Sequence, residues 1–331
     1  MGPEAGRYTA FSAWLRQRFG ERVQKIMVDA GLNCPNRDGT LGTGGCIYCN
    51  ARGSGTGAFD RGVSIRDQVI AGRDAVLRRY KARKYLVYFQ SFSNTYAPVD
   101  RLRAIYDEAV NAVDGVAGLS IGTRPDCVDG PVLDLLAEYA AKRMVWVEYG
   151  LQSTRDATLR KINRGHDFAC FRRAVRETRA RGLRVCAHVI LGLPGEGPTE
   201  MSATADALAD LGVDGIKLHL LYVVRGTPLE QWYRSGDYRP MEPEAYAEAV
   251  CEFLERTPPD VVIQRLTGDP HPEELVAPEW ALQKHAARKL IFAEMERRDV
   301  WQGKALGISR GNGGVMASAI GQRFANESST G

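Results

Sequence analysis

Short apolar runs alternate with amphipathic helical patterns along most of this chain, and the alternation limits the fold more than any other feature. Runs of this kind are typical of buried strands, and the helical segments between them are long enough to cross from one parallel strand to the next. The pattern therefore predicts an α/β fold with a parallel sheet. The predicted strands cover residues 23–29, 86–89, 118–122, 144–149, 184–191, 215–220 and 261–264.

The helical patterns place apolar residues three and four positions apart, as one buried helix face requires. Six or seven strand–helix units are slightly too few for a closed barrel of eight units, so an open, partial (β/α)6 TIM-like barrel fits best. Ligands of such folds bind at the carboxyl ends of the strands, where polar residues are candidate site residues. The predicted helices cover residues 64–80, 101–113, 132–141, 168–181 and 200–211.

We expect four segments along the chain. A helical segment over residues 1–22 precedes the partial barrel over 23–265, and a C-terminal helical extension over 266–303 contains a helix at 280–298. The last segment, 304–331, is rich in Gly, Ser, Ala and Asn and has weak periodicity. That composition predicts a mobile tail.

Composition and charge exclude several classes of protein. The sequence has no run of about 18 apolar residues, and its first 25 residues carry charges throughout. We therefore expect a cytoplasmic protein without a membrane partner. A net charge of +4, from 44 Lys and Arg against 40 Asp and Glu, limits any polyanion site to a local patch. Seven cysteines, an odd number, argue against a disulfide framework and favour thiols that bind metals or take part in chemistry.

Three of these cysteines, Cys34, Cys46 and Cys49, lie together in GLNCPNRDGTLGTGGCIYCN, directly after the first predicted strand. A structural zinc site normally has four protein ligands, and no fourth cysteine or histidine lies nearby. Three thiolates on one glycine-rich loop suit a cubane iron–sulfur cluster whose fourth iron stays open for another ligand. The spacing alone also allows a zinc site completed by a remote ligand, or a Cys-x2-Cys pair in a flexible loop.

Eight segments in order carry a resemblance to a known family: YTAFSAWLRQRFG, AGLNCPNRDGT, GGCIYCN, YFQSFSNTYAP, IGTRPDC, VEYGLQS, HVILGLPGE and KLHLLYVVRGTPL. They resemble the radical S-adenosylmethionine (SAM) enzymes, and among these the subgroup of the YhcC and YtqA proteins, related to the catalytic subunit of Elongator. The resemblance covers most of residues 8–300. The common family spacing of the cysteines is three residues and then two, whereas eleven and then two separate them here.

The resemblance implies that the three cysteines hold a 4Fe-4S cluster and that its open iron binds SAM. Cleavage of SAM would give a 5′-deoxyadenosyl radical that takes hydrogen from a substrate, with a reductase such as flavodoxin or ferredoxin as electron donor. The expected SAM-binding residues follow or end strands of the barrel, where a ligand reaches the open iron. They are Gln90, Ser91, Asn94, Thr123, Arg124, Glu148, Gln152, Ser153, His188 and Gly192.

For the substrate, the resemblance implies a wobble uridine of tRNA, whose carboxymethylaminomethyl side chain would be converted toward the aminomethyl form. Two alternatives are a radical SAM enzyme acting on a small, porphyrin-like metabolite and a non-catalytic protein that binds zinc or tRNA. If the substrate is RNA, we expect phosphate contacts in the basic stretches 78–84 or 171–184, or in the loop 161–166. A solvated outer helix face is the plainer interpretation of both basic stretches.

Overall fold

Seven parallel strands form the main sheet of the computed structural model, which describes residues 6–53 and 57–310. The described residues contain two further strands, and in chain order all nine are β1 (Val23–Val28), β2 (Lys84–Phe89), β3 (Val116–Thr123), β4 (Met144–Gln152), β5 (Arg184–Leu191), β6 (Gly215–Leu220), β7 (Val223–Val224), β8 (Val262–Arg265) and β9 (Leu275–Ala277). Strands β1 to β6 and then β8 lie side by side in chain order, while β7 and β9 pair antiparallel in a separate ribbon. The predicted α/β class with a partial TIM-like barrel is confirmed.

Helices fill every crossover between neighbouring strands of the main sheet, which is what parallel pairing requires. Several of them begin at residues whose side chains accept a backbone N–H of the first turn, namely Ser64, Asp129 and Asp167. The helices are α1 (Phe11–Phe19), α2 (Ile65–Tyr80), α3 (Val99–Val110), α4 (Gly130–Ala140), α5 (Asp156–Lys161), α6 (Phe168–Arg179), α7 (Pro198–Leu211), α8 (Pro228–Ser235), α9 (Pro243–Glu255) and α10 (Lys284–Arg297). Of the helices in the described ranges, none combines the length and apolar character that a membrane span needs.

The C-terminal part differs in detail from the expected helical extension. The helix expected over 280–298 is divided, because Gln283 adopts φ −90° and ψ 56° between a 3-10 turn, Glu279–Leu282, and α10. Strand β9 also lies in this part. Of the tail expected to be mobile, residues 304–310 contain a 3-10 turn, Lys304–Leu306, and residues 311–331 lie outside the described residues.

Helix α1 closes the amino-terminal end of the barrel interior. The ring of Trp14 lies 5.7 Å from that of Trp146 on β4. Just before α1, the carbonyl of Thr9 accepts a 2.8 Å hydrogen bond from the N–H of Ile263, so this segment also lines the edge strand β8. The carboxyl ends of the strands are therefore the open end. The apolar floor of the barrel consists of Phe11, Trp14, Leu15, Val23, Leu86, Trp146, Cys186 and Val262.

Candidate functional site

The three cysteines lie on the loop after β1, and one backbone hydrogen bond shortens the distance between the first two. The N–H of Gly45 donates to the carbonyl of Asn36 at 2.8 Å, which closes residues 37–44 into a side loop. With the side loop left out, the chain between Cys34 and Cys46 consists of Pro35, Asn36 and Gly45. The wide first gap thus presents the cysteines with a separation of three residues and then two.

Side chains hold this loop in shape. Arg37 Nη2 donates to the carbonyls of Cys49 and Asn50, at 2.6 Å each, and so joins the side loop to the last cysteine. Gly45 has φ 70°, and a Cβ at this position would lie 2.9 Å from Arg37 Nε. Glycine is therefore favoured beside Cys46, because another residue would be strained at this φ and would displace the Arg37 guanidinium.

Arg164, in the loop 161–166, supports the cysteine loop from behind. It is only 7% exposed, and its guanidinium donates to the carbonyl of Gly150 at 2.6 Å and to Cys46 Sγ at 3.5 Å. The expectation that this loop contacts phosphates is therefore wrong for Arg164. The N–H of Ile47 donates to the carbonyl of Ile162 at 3.1 Å and fixes the two loops together.

Two arginines set the electrostatics of the thiols. Burial raises the pKa of Cys46, but the charge and hydrogen bond of Arg164, the charge of Arg124 and the hydrogen bond of Tyr48 together outweigh it, so the pKa is lowered. Arg124 Nη1 also lies 4.0 Å from Cys34 Sγ. For Cys49, burial raises the pKa and the nearby Cys46 adds to the shift. Because metals bind thiolates, the cationic surroundings of Cys46 and Cys34 favour a metal group here.

The spacing of the sulfurs bears on which metal group fits. Among the described residues, one set of three ligand side chains has its ligand atoms all within 4.8 Å of one another, namely Glu148, Cys186 and His188. At least one pair of sulfurs in the cysteine loop is therefore more than 4.8 Å apart, whereas bonds of about 2.3 Å in a tetrahedral zinc site place sulfurs roughly 3.8 Å apart. A larger group such as a four-iron cluster fits this spacing better.

Buried acceptors without partners follow β2. Asn94 Nδ2 donates to the carbonyls of Ser91 and Gly122, at 2.9 and 2.8 Å, which fixes the side-chain amide. Its Oδ1 and the Oγ of Ser91 are both buried and have no hydrogen-bond partner within the described part of the chain. The N–H of Ser93 donates to the carbonyl of Asn33, so these acceptors lie beside the cysteine loop. An ammonium group, such as that of SAM, fits such acceptors.

The polar residues after β3 are engaged by the protein itself. Thr123 Oγ1 lies 2.9 Å from Ser93 Oγ and 2.6 Å from Thr95 Oγ1, in a buried group of hydroxyls. Arg124 donates from Nε and Nη2 to the two carboxylate oxygens of Asp126, at 2.9 and 2.7 Å. Contacts of Thr123 and Arg124 with SAM stay predictions.

Four more predicted SAM contacts lie at the same carboxyl edge of the sheet. Gln90 directly follows β2, and Gln152 ends β4 with a positive φ of 78°. Gly192 follows β5 with φ 82°, a conformation that glycine adopts without strain. Ser153 is fully buried, and its Oγ donates to a carboxylate oxygen of Glu196. The edge thus brings these residues together, and their roles toward SAM stay predictions.

Glu148 and His188 lie deeper, in an ionic network inside the barrel. Oε2 of the fully buried Glu148 accepts from His188 Nε2 at 2.8 Å and from Lys217 Nζ at 3.0 Å. Its Oε1 accepts from Lys25 Nζ and from Ser120 Oγ. Donors from β1, β3, β5 and β6 therefore occupy the carboxylate. Contact of Glu148 or His188 with SAM stays a prediction.

The network determines the protonation of its members. Burial raises the pKa of Glu148, but the charges of Lys217 and Lys25 outweigh it and hold the pKa well below its usual range. Burial lowers the pKa of Lys217 to about 7 and that of His188 to about 3, so His188 is neutral. The ring of Tyr88 lies 4.1 Å from Lys217 Nζ and 4.4 Å from Lys25 Nζ, which adds cation–π attraction.

Sequence reasoning missed most of these partners. Lys25, Ser120 and Lys217 lie within apolar strand runs and were not among the candidate residues. The available signal was a lysine at an inner position of a predicted strand, since a buried ammonium group requires a partner. Arg164 gave no such signal, because its position in the loop between α5 and α6 is also typical of an exposed arginine.

Comparison with known proteins finds similarity to one superfamily over most of the chain. The model of the radical SAM superfamily matches residues 37–220, and that of a radical SAM C-terminal domain matches residues 213–297. YtqA of Bacillus subtilis (strain 168) is 43% identical over 298 residues, which are 90% of this chain and 92% of that protein. Protein YhcC of Escherichia coli (strain K12) is 41% identical over 298 residues, 90% of this chain and 94% of that protein.

More distant similarities cover part of the chain or only the fold. The tRNA uridine(34) acetyltransferase of Dehalococcoides mccartyi (strain CBDB1) is 32% identical over 155 residues, 46% of this chain and 33% of that protein. The solved structure of archaeal Methanocaldococcus infernus Elp3 with an N-terminal deletion superposes with a TM-score of 0.67 at 17% identity. It covers 85% of this chain and 64% of that chain and shows a shared fold.

Replacement of Glu148 by Gln tests the buried network. The free energy of unfolding should fall by about 3–5 kcal/mol near neutral pH, because Lys25 and Lys217 lose their buried counter-charge. The folded pKa of Glu148 lies below its ordinary value of 4.5, so its stabilisation is complete above that pH and decreases as the pH falls. In urea unfolding, wild type and E148Q should therefore converge below pH 4.5.

The matched control is Glu138→Gln, which removes one partner of an exposed pair with Arg103. That variant should unfold almost like the wild type, since exposed pairs contribute little. A stability loss in E148Q that does not depend on pH, or no loss, would contradict the network as described.

Proposed function

The chain belongs to the radical SAM superfamily, and we propose that it is an enzyme that modifies the wobble uridine of tRNA. Superfamily membership implies a 4Fe-4S cluster, SAM and an electron donor, for which we propose a flavodoxin or ferredoxin. When bound, the cluster and SAM supply a 5′-deoxyadenosyl radical that takes a hydrogen atom from the substrate.

The residues of this chain would hold these groups as follows. Cys34, Cys46 and Cys49 supply three thiolates, and the neighbouring arginines balance part of their negative charge. The unpartnered oxygens of Asn94 and Ser91 accept from the amino group of SAM. Helix α1 closes the amino-terminal end of the barrel, so the substrate would bind on the side of the cysteine loop.

The tRNA substrate is supported by the segment shared with the tRNA uridine(34) acetyltransferase, because that protein acts on the wobble position by its name. The shared segment covers 46% of this chain. We propose that the reaction converts a carboxymethylaminomethyl side chain of the uridine to the aminomethyl form by breaking the bond between the amine nitrogen and the carboxymethyl carbon. Loss of a hydrogen atom from that carbon to the 5′-deoxyadenosyl radical, and of one electron back to the cluster, would give an imine, which water would hydrolyse to the aminomethyl group and glyoxylate. SAM would thus be the two-electron oxidant, consumed to methionine and 5′-deoxyadenosine.

The positions of the basic residues favour one surface of the protein over the others as the tRNA-binding surface. Residues 78–84 span the end of α2 and the start of β2, at the amino ends of the strands and opposite the cysteine loop. Arg172, Arg173 and Arg176 are exposed along the outer helix α6. Arg160 and Lys161 are exposed at the end of α5, and the next residue, Ile162, accepts a backbone hydrogen bond from Ile47 of the cysteine loop. We therefore place the tRNA at the α5 end.

Replacement of Cys34, Cys46 or Cys49 by Ala tests the cofactor site. Each variant should lose the cluster and the release of 5′-deoxyadenosine, because each thiolate holds one iron. Iron, sulfide and 5′-deoxyadenosine are measured after anaerobic reconstitution. Cys170→Ala, on α6, is the matched control and should retain all three. Full iron content with normal 5′-deoxyadenosine release in any variant of the first three cysteines would contradict the assignment.

Analysis of tRNA nucleosides from cells with and without the gene tests the substrate. Loss of the gene should raise carboxymethylaminomethyl uridine and deplete the aminomethyl forms, because the conversion stops. A plasmid carrying the wild-type gene should restore the profile, whereas the Cys46→Ala variant should not. An identical profile in both strains would remove tRNA as the substrate.

Charge reversal at Arg160 and Lys161 tests the tRNA surface. The slope of log affinity against log salt should fall by roughly 0.7 to 0.9 for each phosphate that the variant no longer binds, because fewer counterions are released. Filter binding over a salt series measures the slope. Reversal at Arg78 and Arg79, at the other end of the barrel, is the control and should leave it unchanged. A lower slope on reversal at Arg78 and Arg79, with no change on reversal at Arg160 and Lys161, would show that the tRNA binds at the amino ends of the strands.

A further inference from the structure

Arg265 ends β8 with part of its guanidinium buried and unpaired. Its Nε and Nη2, and the Nε2 of Gln264 beside it, are buried and have no hydrogen-bond partner among residues 6–53 and 57–310. Nε and Nη2 form one edge of the guanidinium, and this edge binds a carboxylate through two parallel hydrogen bonds. Buried donors without partners are costly, so their presence points to an absent ligand.

The guanidinium belongs to the charged layer inside the barrel. Arg265 is paired in register with Lys217 of β6, and Gln264 Oε1 accepts from Lys25 Nζ at 2.7 Å. The charge of Arg265 also contributes to the lowered pKa of His188 and of His219, whose main cause is burial. Arg265 therefore faces the same interior as the Glu148 network.

Charge in this layer is not balanced. Both lysines, Lys25 and Lys217, form salt bridges with Glu148, whereas no salt bridge of the described residues includes Arg265. The two histidines are neutral, because their pKa values lie below the usual range. Three basic side chains, of which Lys217 is only partly protonated near neutral pH, therefore share one carboxylate, and a second anion would complete the layer.

A substrate group can reach this position from the side. Strands β1 and β8 are the two edges of the sheet and do not pair with each other. A gap therefore separates β1 from β8. Toward the amino ends of the strands, the Lys25–Gln264 hydrogen bond and the Ala10–Ile263 bridge close this gap. Further along β1, Met27 lies on the same face as Lys25 and is 55% exposed. The gap between β1 and β8 is therefore open at Met27, beyond the Lys25–Gln264 hydrogen bond.

From these observations we infer that Arg265 binds a carboxylate of the substrate inside the barrel, through Nε and Nη2. The inference rests on the proposed function, in which the uridine side chain ends in a carboxymethyl group. A backbone phosphate fits less well, because the polymer stays outside while a single side chain can enter. The carboxylate of SAM is the other possible source, and the experiment separates the two.

Two tRNAs that differ only in the carboxymethyl group on the wobble uridine provide the test. The reconstituted holoenzyme should bind the carboxymethylaminomethyl form about 30-fold more tightly than the aminomethyl form, as a desolvated guanidinium–carboxylate pair contributes. Arg265→Gln should bind both forms alike, at the wild-type affinity for the aminomethyl form, with unchanged affinity for SAM. Arg265→Lys should recover part of the difference through its charge.

Arg225→Gln, at an exposed position after β7, is the matched control and should keep the 30-fold discrimination. An equal loss of affinity for both tRNAs in Arg265→Gln would indicate a structural role and overturn the inference. A loss of SAM affinity would overturn it as well, because the guanidinium would then bind the carboxylate of SAM.

Failure of the proposed function gives a different result. If the wild type binds neither tRNA, the function is wrong, and N-methylglycine serves as the probe for the carboxylate site. An increase in Tm with N-methylglycine at constant ionic strength, present in the wild type and absent in Arg265→Gln, would support the site. An equal increase in both proteins, or none in either, would overturn it.

Discussion

The buried carboxylate of Glu148 allows two lysines to lie inside the barrel. It accepts hydrogen bonds from four strands, and its two lysine partners would each be costly to bury without it. The interior is consequently built in levels. Helix α1 and Trp146 form an apolar floor, the Glu148 network forms a charged middle, and the polar edge of the strands lies beside the cysteine loop.

The cysteine loop depends on local hydrogen bonds more than on the spacing of its residues. Closure at Asn36 and Gly45 removes the side loop from the path between the first two cysteines. Arg37 then ties the side loop to the last cysteine, while Arg164 reaches Cys46 from the other side. The eleven residues between Cys34 and Cys46 are therefore compatible with the same arrangement of cysteines that the common spacing, three residues and then two, gives in the family.

The sequence was sufficient for the fold, because the alternation of strands and helices is a local pattern, and it also placed the three cysteines on the loop after β1. Alternating strands and helices predict the partial barrel, and the first strand end predicts where the cysteines lie. The partners of Glu148 could not be predicted, since parallel register brings Lys25 and Lys217 together from distant parts of the chain. The basic stretch 78–84 was equally ambiguous, because only the three-dimensional fold shows that it lies at the end opposite the cysteine loop.

The central claim is that three thiolates of this loop hold one cluster with an open iron. Electron paramagnetic resonance of the reduced protein, purified without oxygen, tests it most directly when spectra are recorded with and without SAM. We expect the signal of one 4Fe-4S cluster per chain, with a spectrum that changes when SAM is added. A colourless protein with stoichiometric zinc, or a cluster signal that SAM leaves unchanged, would contradict it.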